Sequence, residues 1–170
     1  MERAVELAQA AANPICGGPP PGIAGPPQAH EVAFQKTYGG SKTRWLVLVV
    51  CSTGAYNVSS VAFEVDAYEQ VTLLPFPRPT FRYEYEDEAS TKLKSLVMTG
   101  MAATQRVVNG QWDAKAGTLE TLGSWRGLSD AFDTATYRLT DDGFQLVKFA
   151  VDPTYDGEQT PTTLYEAPAQ

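Results

Sequence analysis

The chain has 170 residues, of which 43% are hydrophobic and 11% aromatic, enough to build the packed core of one ordinary domain. Its formal net charge of -7 argues against nucleic-acid binding, which depends on neutralising phosphates. The longest apolar run, Trp45 to Cys51, is far shorter than the roughly 20 residues that a membrane-spanning helix requires. We therefore expect no transmembrane segment.

The first predicted element is a short helix from Glu2 to Ala12. Alanine is the best helix former, and Val5, Leu7 and Ala8 begin a weakly apolar stripe. Pro14 is expected to end this helix, because the residue before a proline is disfavoured in the helical conformation.

The segment from Pro14 to Gln28 is predicted to be a linker or a wrapping loop. It contains six of the twelve prolines and four of the fourteen glycines, a composition that fits neither a regular helix nor a central strand. We therefore divide the chain into a helix and tether over residues 1–29 and an antiparallel β domain over residues 30–170.

From Glu31 onward, short runs of β-branched and aromatic residues alternate with turn signals. Arg44 to Val50 is apolar after its first residue and predicts a buried strand. Thr80 to Glu86 alternates aromatic with charged or polar residues, as a half-buried strand does. Leu93 to Asn109 is compatible with either strand or irregular structure. Further strands are predicted at Asn57 to Tyr68, Glu69 to Leu74, Thr118 to Ser124, Thr134 to Thr140, Phe144 to Asp152 and Thr162 to Glu166.

The spacing of these strands predicts the fold class. Turn signals such as Asp141-Asp142-Gly143 separate strands in the manner of antiparallel hairpins. Pro75, Pro77 and Pro79 are expected to stop the strand that precedes them. The prediction is a mostly β protein, an antiparallel barrel or sandwich-like sheet with one short N-terminal helix.

Cys16 and Cys51 are the two cysteines of the chain, and there is one histidine. This set is too small for a structural zinc site, and we expect neither a metal nor a cofactor. Two cysteines allow one disulfide in an oxidising compartment or two free thiols in a reducing one. Because Cys51 ends an apolar strand and Cys16 lies in the tether, we favour a structural disulfide over a reactive thiol.

Carboxylates cluster between Glu84 and Glu88 and again near the C-terminus. Paired carboxylates can act as acid and base in glycoside hydrolysis or bind calcium. Neither cluster has the spacing of a calcium loop, and solvated surface charge is the simpler interpretation. A hydrolase that uses Glu84, Glu86 or Asp130 is kept as an alternative.

Two loops between predicted strands carry residue types that are common in binding surfaces. Tyr56 and Asn57 follow the cysteine strand, and Arg126 and Asp130 lie in a later turn. Loops carry recognition, and arginine and tyrosine often dominate binding energy. We predict that these four residues form a binding surface if both loops lie at the same end of the sheet. The alternative is that Arg126 and Asp130 only pair within their own turn.

Several of these segments together resemble a known bacterial family. They are similar to the C-terminal half of the exported, cysteine-containing family catalogued as domain of unknown function 1176. The resemblance extends from about residue 3 to about residue 167. It implies export and a retained Cys16–Cys51 pair, but no particular chemistry. The segments are Trp45 to Cys51, Gly54 to Asn57, Trp112 to Leu119, Arg126 to Asp130 and Gly143 to Phe149.

The chain departs from the family pattern at a second cysteine pair. Where the family usually has these cysteines, this chain has Ala131 and a residue such as Thr154 or Tyr155. Both cysteines of this pair are absent together, as is expected when a structural disulfide is lost. This pattern weakens the case for thiol chemistry.

The function that we predict is a non-catalytic binding module of the bacterial envelope that meets a protein or a cell-wall component. An acidic β protein of this class is suited to inhibit a basic hydrolase such as lysozyme, because complementary charges speed association. The alternatives are a carboxylate-dependent hydrolase and a structural subunit of a larger assembly. We expect a periplasmic or secreted protein without a nucleic-acid partner, although the N-terminus lacks the pattern of a signal peptide.

Overall fold

The computed structural model describes residues 1–18, 26–35 and 41–168. Part of the predicted tether (19–25), residues 36–40 and residues 169–170 therefore lie outside the described residues. Within the described ranges the chain forms one helix, α1 (Glu2–Cys16), and twelve strands. The strands are β1 (Gln28–Gln35), β2 (Ser41–Thr53), β3 (Val58–Val65), β4 (Val71–Leu73), β5 (Phe76–Tyr85), β6 (Leu93–Thr104), β7 (Arg106–Val108), β8 (Gln111–Asp113), β9 (Thr118–Ser124), β10 (Phe132–Thr140), β11 (Gly143–Asp152) and β12 (Thr162–Glu166).

The strands form two five-stranded sheets and one long hairpin. Sheet 1 has the order β1-β2-β3-β4, with β7 also paired to β3, and sheet 2 has the order β12-β11-β10-β9-β8. The hairpin consists of β5 and β6. All pairs are antiparallel, and among the described residues no sheet closes on itself. The predicted fold class is confirmed in its sandwich-like form.

The main core lies between sheet 1 and sheet 2. One face of each sheet contributes apolar side chains that are removed from water, which is the dominant favourable term in folding. The hairpin completes this layer. Its residue Phe76 stacks on Phe144 of β11, with the two ring centroids 4.7 Å apart. The buried side chains include Leu46, Leu48, Ala62, Leu119, Tyr137, Phe149 and Val151.

Helix α1 covers the opposite face of sheet 1. The small side chains of Ala4, Ala8 and Ala12 form its buried stripe and allow the helix to approach the sheet closely. They pack with the side chains of Val47, Val49, Cys51, Val61, Phe63 and Val65 from β2 and β3. Because both faces of β2 are covered, its sequence is a continuous apolar run without alternation.

The expectation that α1 ends at Ala12 is wrong, since the helix continues to Cys16 with Pro14 inside its last turn. A proline in the last turn removes one backbone hydrogen bond, but other contacts hold this turn. Gly17, at φ +81°, and Gly18 donate backbone N–H hydrogen bonds of 3.1 and 2.9 Å to the Asn13 carbonyl. The terminal residue is also tied to the sheet by its disulfide.

Three further differences concern the strands. Strand β1 was not predicted, yet it pairs with β2 over residues 28–35. The ambiguous stretch 93–109 resolves into β6 and β7. Pro77 and Pro79 lie inside β5 instead of preceding it. A strand paired on one side only tolerates prolines whose nitrogens face away from the partner, and β5 pairs with β6 alone among the described strands.

The disulfide joins Cys16, at the end of α1, to Cys51 in β2, with their Cα atoms 4.9 Å apart. It closes a loop between residues 35 positions apart and contains both cysteines of the chain. Cys51 is buried under α1, so the bond fixes the C-terminal end of the helix against sheet 1.

Replacing both cysteines by serine is expected to lower the free energy of unfolding by about 3–4 kcal/mol, because the unfolded chain loses a cross-link. Urea unfolding of the double variant and of the reduced wild type measures the effect. Thiol titration of the denatured, unreduced protein should find no free thiol, and two free thiols in protein purified under oxidising conditions would contradict the assignment.

The close approach of α1 to sheet 1 predicts that larger side chains destabilise the protein on the buried face of the helix but not on its exposed face. Ala8→Leu is expected to destabilise the protein by about 1–3 kcal/mol, because Ala8 has no exposed surface and sheet 1 leaves no room for a larger side chain. Ala10→Leu is the matched control, since Ala10 is exposed on the same helix. Equal unfolding free energies for the two variants would show that α1 does not pack as described.

Candidate functional site

The two predicted loops lie together at one end of the sandwich. The Asn57 side chain donates a 2.7 Å hydrogen bond to the Ser124 carbonyl and accepts one of 3.2 Å from the Ser124 amide. The Tyr56 hydroxyl donates to the Trp125 carbonyl at 3.4 Å, and a β-carbon at Gly127 would lie 3.7 Å from the Tyr56 ring. The loop after β2 is therefore bonded directly to the loop after β9.

Asn109, which lies between β7 and β8, connects these two loops by hydrogen bonds. It was not among the predicted site residues. Its amide nitrogen donates to the Leu122 carbonyl at 2.8 Å and to the Asn57 side-chain oxygen at 3.1 Å, and its side-chain oxygen accepts from the Val58 amide at 2.8 Å. Asn109 has φ +48°, a conformation in which asparagine is enriched. The Asn109-Gly110 dipeptide is the sequence feature that could have indicated a turn at this position, since this pair favours turns.

Asp130 and Arg126 form a two-pronged ion pair inside the second loop. The Arg126 Nε donates to Asp130 Oδ1 at 2.6 Å, and Nη2 donates to Oδ2. The Gly157 amide adds a hydrogen bond of 2.9 Å to Oδ2. Arg126 and the Gly157 amide hold the pKa of the Asp130 carboxyl well below its usual range, against the opposing effect of burial.

The four predicted residues divide into two pairs by exposure. Tyr56 is 45% exposed and the Arg126 side chain 37% exposed, so both face solvent. Asp130 is 1% exposed and Asn57 is half-buried, and both use their polar atoms within the protein. The structure thus brings all four residues together, with Tyr56 and Arg126 at the surface and Asn57 and Asp130 as their supports.

Tyr155 and Trp125 extend this area. The Arg126 guanidinium carbon lies 5.0 Å from the centre of the Tyr155 ring, a cation–π contact. Trp125 stacks on Phe81 of β5 with ring centroids 6.4 Å apart. We call the area formed by Tyr56, Trp125, Arg126 and Tyr155 the loop surface.

The aromatic face of β5 borders the loop surface. Tyr83, which is 39% exposed, lies 5.7 Å from the Trp125 ring and 5.4 Å from the Tyr85 ring. The Tyr85 hydroxyl donates to the Pro153 carbonyl at 2.6 Å, and burial together with the neighbouring tyrosines raises the pKa of Tyr85 to about 12. Tyr85 therefore remains neutral and anchors the segment after β11.

A second buried carboxylate, that of Asp152, fixes the conformation of the segment after β11. Asp152, which is 2% exposed, accepts hydrogen bonds from the Thr154 hydroxyl at 2.6 Å and from the Thr160 amide at 2.6 Å. These contacts fold residues 153–160 back toward the end of β11. Asp152 and Asp130 together place Tyr155 beside Arg126.

The remaining carboxylates of the hydrolase alternative lie on the hairpin. Glu84 is exposed and forms a 3.3 Å ion pair with Lys94, and Glu86 is exposed. Within residues 1–18, 26–35 and 41–168, no group of three or more histidine, cysteine or acidic residues is arranged to hold a metal ion. In the same ranges no helix is long and apolar enough to cross a membrane.

Residues 27–165 match the family described as protein of unknown function (DUF1176). The chain belongs to this family. It is also similar to the uncharacterized protein YpfG of Escherichia coli K12, with 28% identity over 116 residues. That match covers 68% of this chain and 29% of YpfG, so the chain spans less than a third of the relative's length. No solved structure matches the chain.

The departure from the family pattern at Ala131 lies beside the loop surface. Phe132 pairs with Asp152, so Ala131 and the segment from Pro153 onward are neighbours at one end of sheet 2. Ala131 and Thr154 are both buried. In this chain the hydrogen bonds of Asp130 and Asp152 hold the segment in which the resemblance implies a disulfide in other members of the family.

Asp130→Asn is expected to lower the melting temperature at pH 7, because the ion pair with Arg126 is lost. A carboxyl whose pKa is depressed in the folded protein stabilises it above the unfolded pKa of about 4, and this contribution is lost as the pH falls. The deficit of the variant should therefore shrink between pH 5 and pH 3. Asp142→Asn, at an exposed turn, is the control, and a deficit that does not depend on pH would contradict the ion-pair assignment.

Proposed function

We propose that this domain is a binding module of the bacterial envelope and that the loop surface contacts its partner. The observation that carries the proposal is that each of the two loops combines one exposed side chain with one side chain whose polar atoms bond within the protein. Tyr56 and Arg126 are exposed, while the half-buried Asn57 bonds to the Ser124 backbone and the buried Asp130 bonds to Arg126. A surface that is already ordered loses little conformational entropy on binding.

The disulfide and the family support the compartment that we propose. A disulfide persists in oxidising compartments such as the periplasm or the extracellular space and is rare in the cytosol. The resemblance to an exported family agrees with this location. Periplasmic or secreted is therefore the location that we propose.

The partner that we propose is a protein or a cell-wall component. Tyrosine, tryptophan and arginine are enriched among the residues that dominate binding energy, and the loop surface contains all three. The net charge of -7 favours a basic partner, and a basic hydrolase such as lysozyme is a suitable first candidate for an inhibitor-like role.

The hydrolase alternative has less support. A general acid needs a carboxyl with a raised pKa, whereas Arg126 lowers the pKa of the Asp130 carboxyl. Glu84 and Glu86 lie on the exposed side of the hairpin. A role as a structural subunit has one specific observation in its favour, the exposed apolar side chains of Val97 and Met101 on β6.

Tyr56→Ala and Arg126→Lys are expected to weaken partner binding at least about tenfold, because anchors of this type often contribute more than 1 kcal/mol. Immobilised wild-type and variant proteins are exposed to envelope extract and to purified lysozyme, and the bound material is quantified. Tyr68→Ala is the control, since Tyr68 is 71% exposed on the β3–β4 turn, away from both loops.

Two outcomes would contradict the proposal. One is equal capture by Tyr56→Ala and Tyr68→Ala, and the other is the absence of any component that binds saturably. Melting temperatures of all variants confirm that a loss of binding is not a loss of folding.

A further inference from the structure

Strand β6 (Leu93–Thr104) leaves one of its two edges unpaired. Among the described strands it bonds to β5 alone, and it is 12 residues long. A long free edge presents a row of backbone N–H and C=O groups that can accept another strand. Native proteins usually block such edges with prolines, charged side chains or irregularities in the strand.

The neighbouring strand β5 is blocked in this way. It contains Pro77 and Pro79, and the charged residues Arg82 and Glu84 follow in the same strand. The second half of β6 has neither protection, because no proline and no charged residue occurs over residues 95–105. The two strands of one hairpin thus differ in how well their free edges are protected.

The prolines of β5 also fix which backbone groups of β6 face the free edge. Opposite residues of antiparallel strands alternate between pairs that exchange two hydrogen bonds and pairs that exchange none. Pro77 lies opposite Ala103, and Pro79 lies opposite Met101. Because proline has no N–H, these are the pairs without hydrogen bonds. The N–H and C=O groups of Met101 and Ala103 therefore point away from β5, to the free edge.

The part of this edge that can accept a strand is short and lined by small residues. The pairing of β6 with β5 is regular from Gly100 to Thr104 and has an irregularity next to Gly100. Met101 is 48% exposed, and Ala102 and Ala103 are also exposed. Open grooves adjoin Met101 and Ala103, so the described residues leave room for another strand at the usual spacing of about 4.8 Å.

We infer that this edge pairs with the same edge of a second copy of the chain in a two-fold symmetric dimer. The two-fold axis passes between Ala102 and Ala102 of the second copy. Met101 then lies opposite Ala103 of the second copy, and Ala103 lies opposite Met101 of the second copy. Both pairs exchange two hydrogen bonds, so every backbone group that Met101 and Ala103 direct outward gains a partner.

Charge and closure favour a second copy over a strand of another protein. The chain carries a net charge of -7, so two copies approach best where neither presents a charge, and Gly100 to Thr104 is such a place. The pairing also joins the two hairpins into one sheet with the order β5-β6-β6-β5. Its outer strands contain Pro77 and Pro79, so the assembly stops at a dimer.

Sedimentation velocity of the purified, oxidised protein tests the inference. A concentration series up to about 1 mM covers weak as well as tight interfaces. We expect reversible association that ends at a dimer. Amide hydrogen exchange in the same series should show protection of Met101 and Ala103 as the dimer forms, because their N–H groups enter hydrogen bonds.

Two substitutions in β6 are expected to weaken the dimer and leave the monomer folded. Ala102→Lys places like charges directly opposite each other and should raise the dimer dissociation constant at least about tenfold. Ala103→Pro removes one outward N–H from each copy and no bond to β5, with an effect of similar size. Ala116→Lys is the matched control, since Ala116 is exposed in the β8–β9 turn. Melting temperatures measured on the monomers should not change.

A third variant tests the register of the two copies. Directly opposite residues in a pair without hydrogen bonds have Cα atoms about 4.5 Å apart, which is close enough for a disulfide. Air oxidation is therefore expected to link Ala102→Cys into a covalent dimer. Ala116→Cys should not be linked, because residue 116 lies away from the axis.

Several results would overturn the inference. They are a monomer at every concentration, association beyond the dimer, equal weakening by Ala102→Lys and Ala116→Lys, and equal cross-linking of the two cysteine variants. Protection of Met101 and Ala103 only in the presence of envelope extract would also overturn it and would indicate a strand from another protein. The contact does not include the loop surface, so Tyr56→Ala should leave the dimer intact and the two proposals can fail separately.

Discussion

Burial of sheet 1 on both faces is the constraint on which the rest of the structure depends. Val47 and Val49 point to α1, while Leu46 and Leu48 point to sheet 2. Two covered faces exclude polar side chains from the middle of β2 and require a helix with a stripe of small residues against it. The polar residues of this region are consequently found at the strand ends, where the loops begin.

Hydrogen bonds from polar side chains to distant backbone groups hold those loops. Asn57, Asn109 and Asp130 each bond to backbone groups of another segment, and an unpaired polar group at such a position would cost about 1–3 kcal/mol. This cost favours one arrangement of the loops over alternatives. It also leaves Tyr56 and Arg126 with solvent-exposed surface, while Asn57 and Asp130 use their polar atoms within the protein.

Trp125 belongs to both the loop surface and the wall of a cavity of about 170 Å³ that lies behind it, between the two sheets. Its carbonyl accepts the hydrogen bond from Tyr56, and its indole donates to Asp133 in the cavity wall. The strongly acidic chain nevertheless presents guanidinium groups at both places, because Arg126 and Arg78 are each fixed by one buried carboxylate.

The amino-acid sequence by itself determined the features that depend on near neighbours. The apolar run before Cys51 and the aromatic alternation of β5 identified antiparallel strands, and the turn composition marked the loops that contain Tyr56 and Arg126. The same local rules failed at Pro14. There the Cys16–Cys51 disulfide and the hydrogen bonds from Gly17 and Gly18 to the Asn13 carbonyl hold the last turn of the helix.

Only the tertiary structure decided which polar residues bond within the protein and which face solvent. Asn57 and Ser124 are 67 positions apart, and Asn109 reaches Asn57 across 52 positions. The cavity likewise exists only where the hairpin, β7 and sheet 2 meet. Pattern and propensity describe a residue among its neighbours in the chain, whereas burial and hydrogen-bond partners here are set by packing between segments that are distant in sequence.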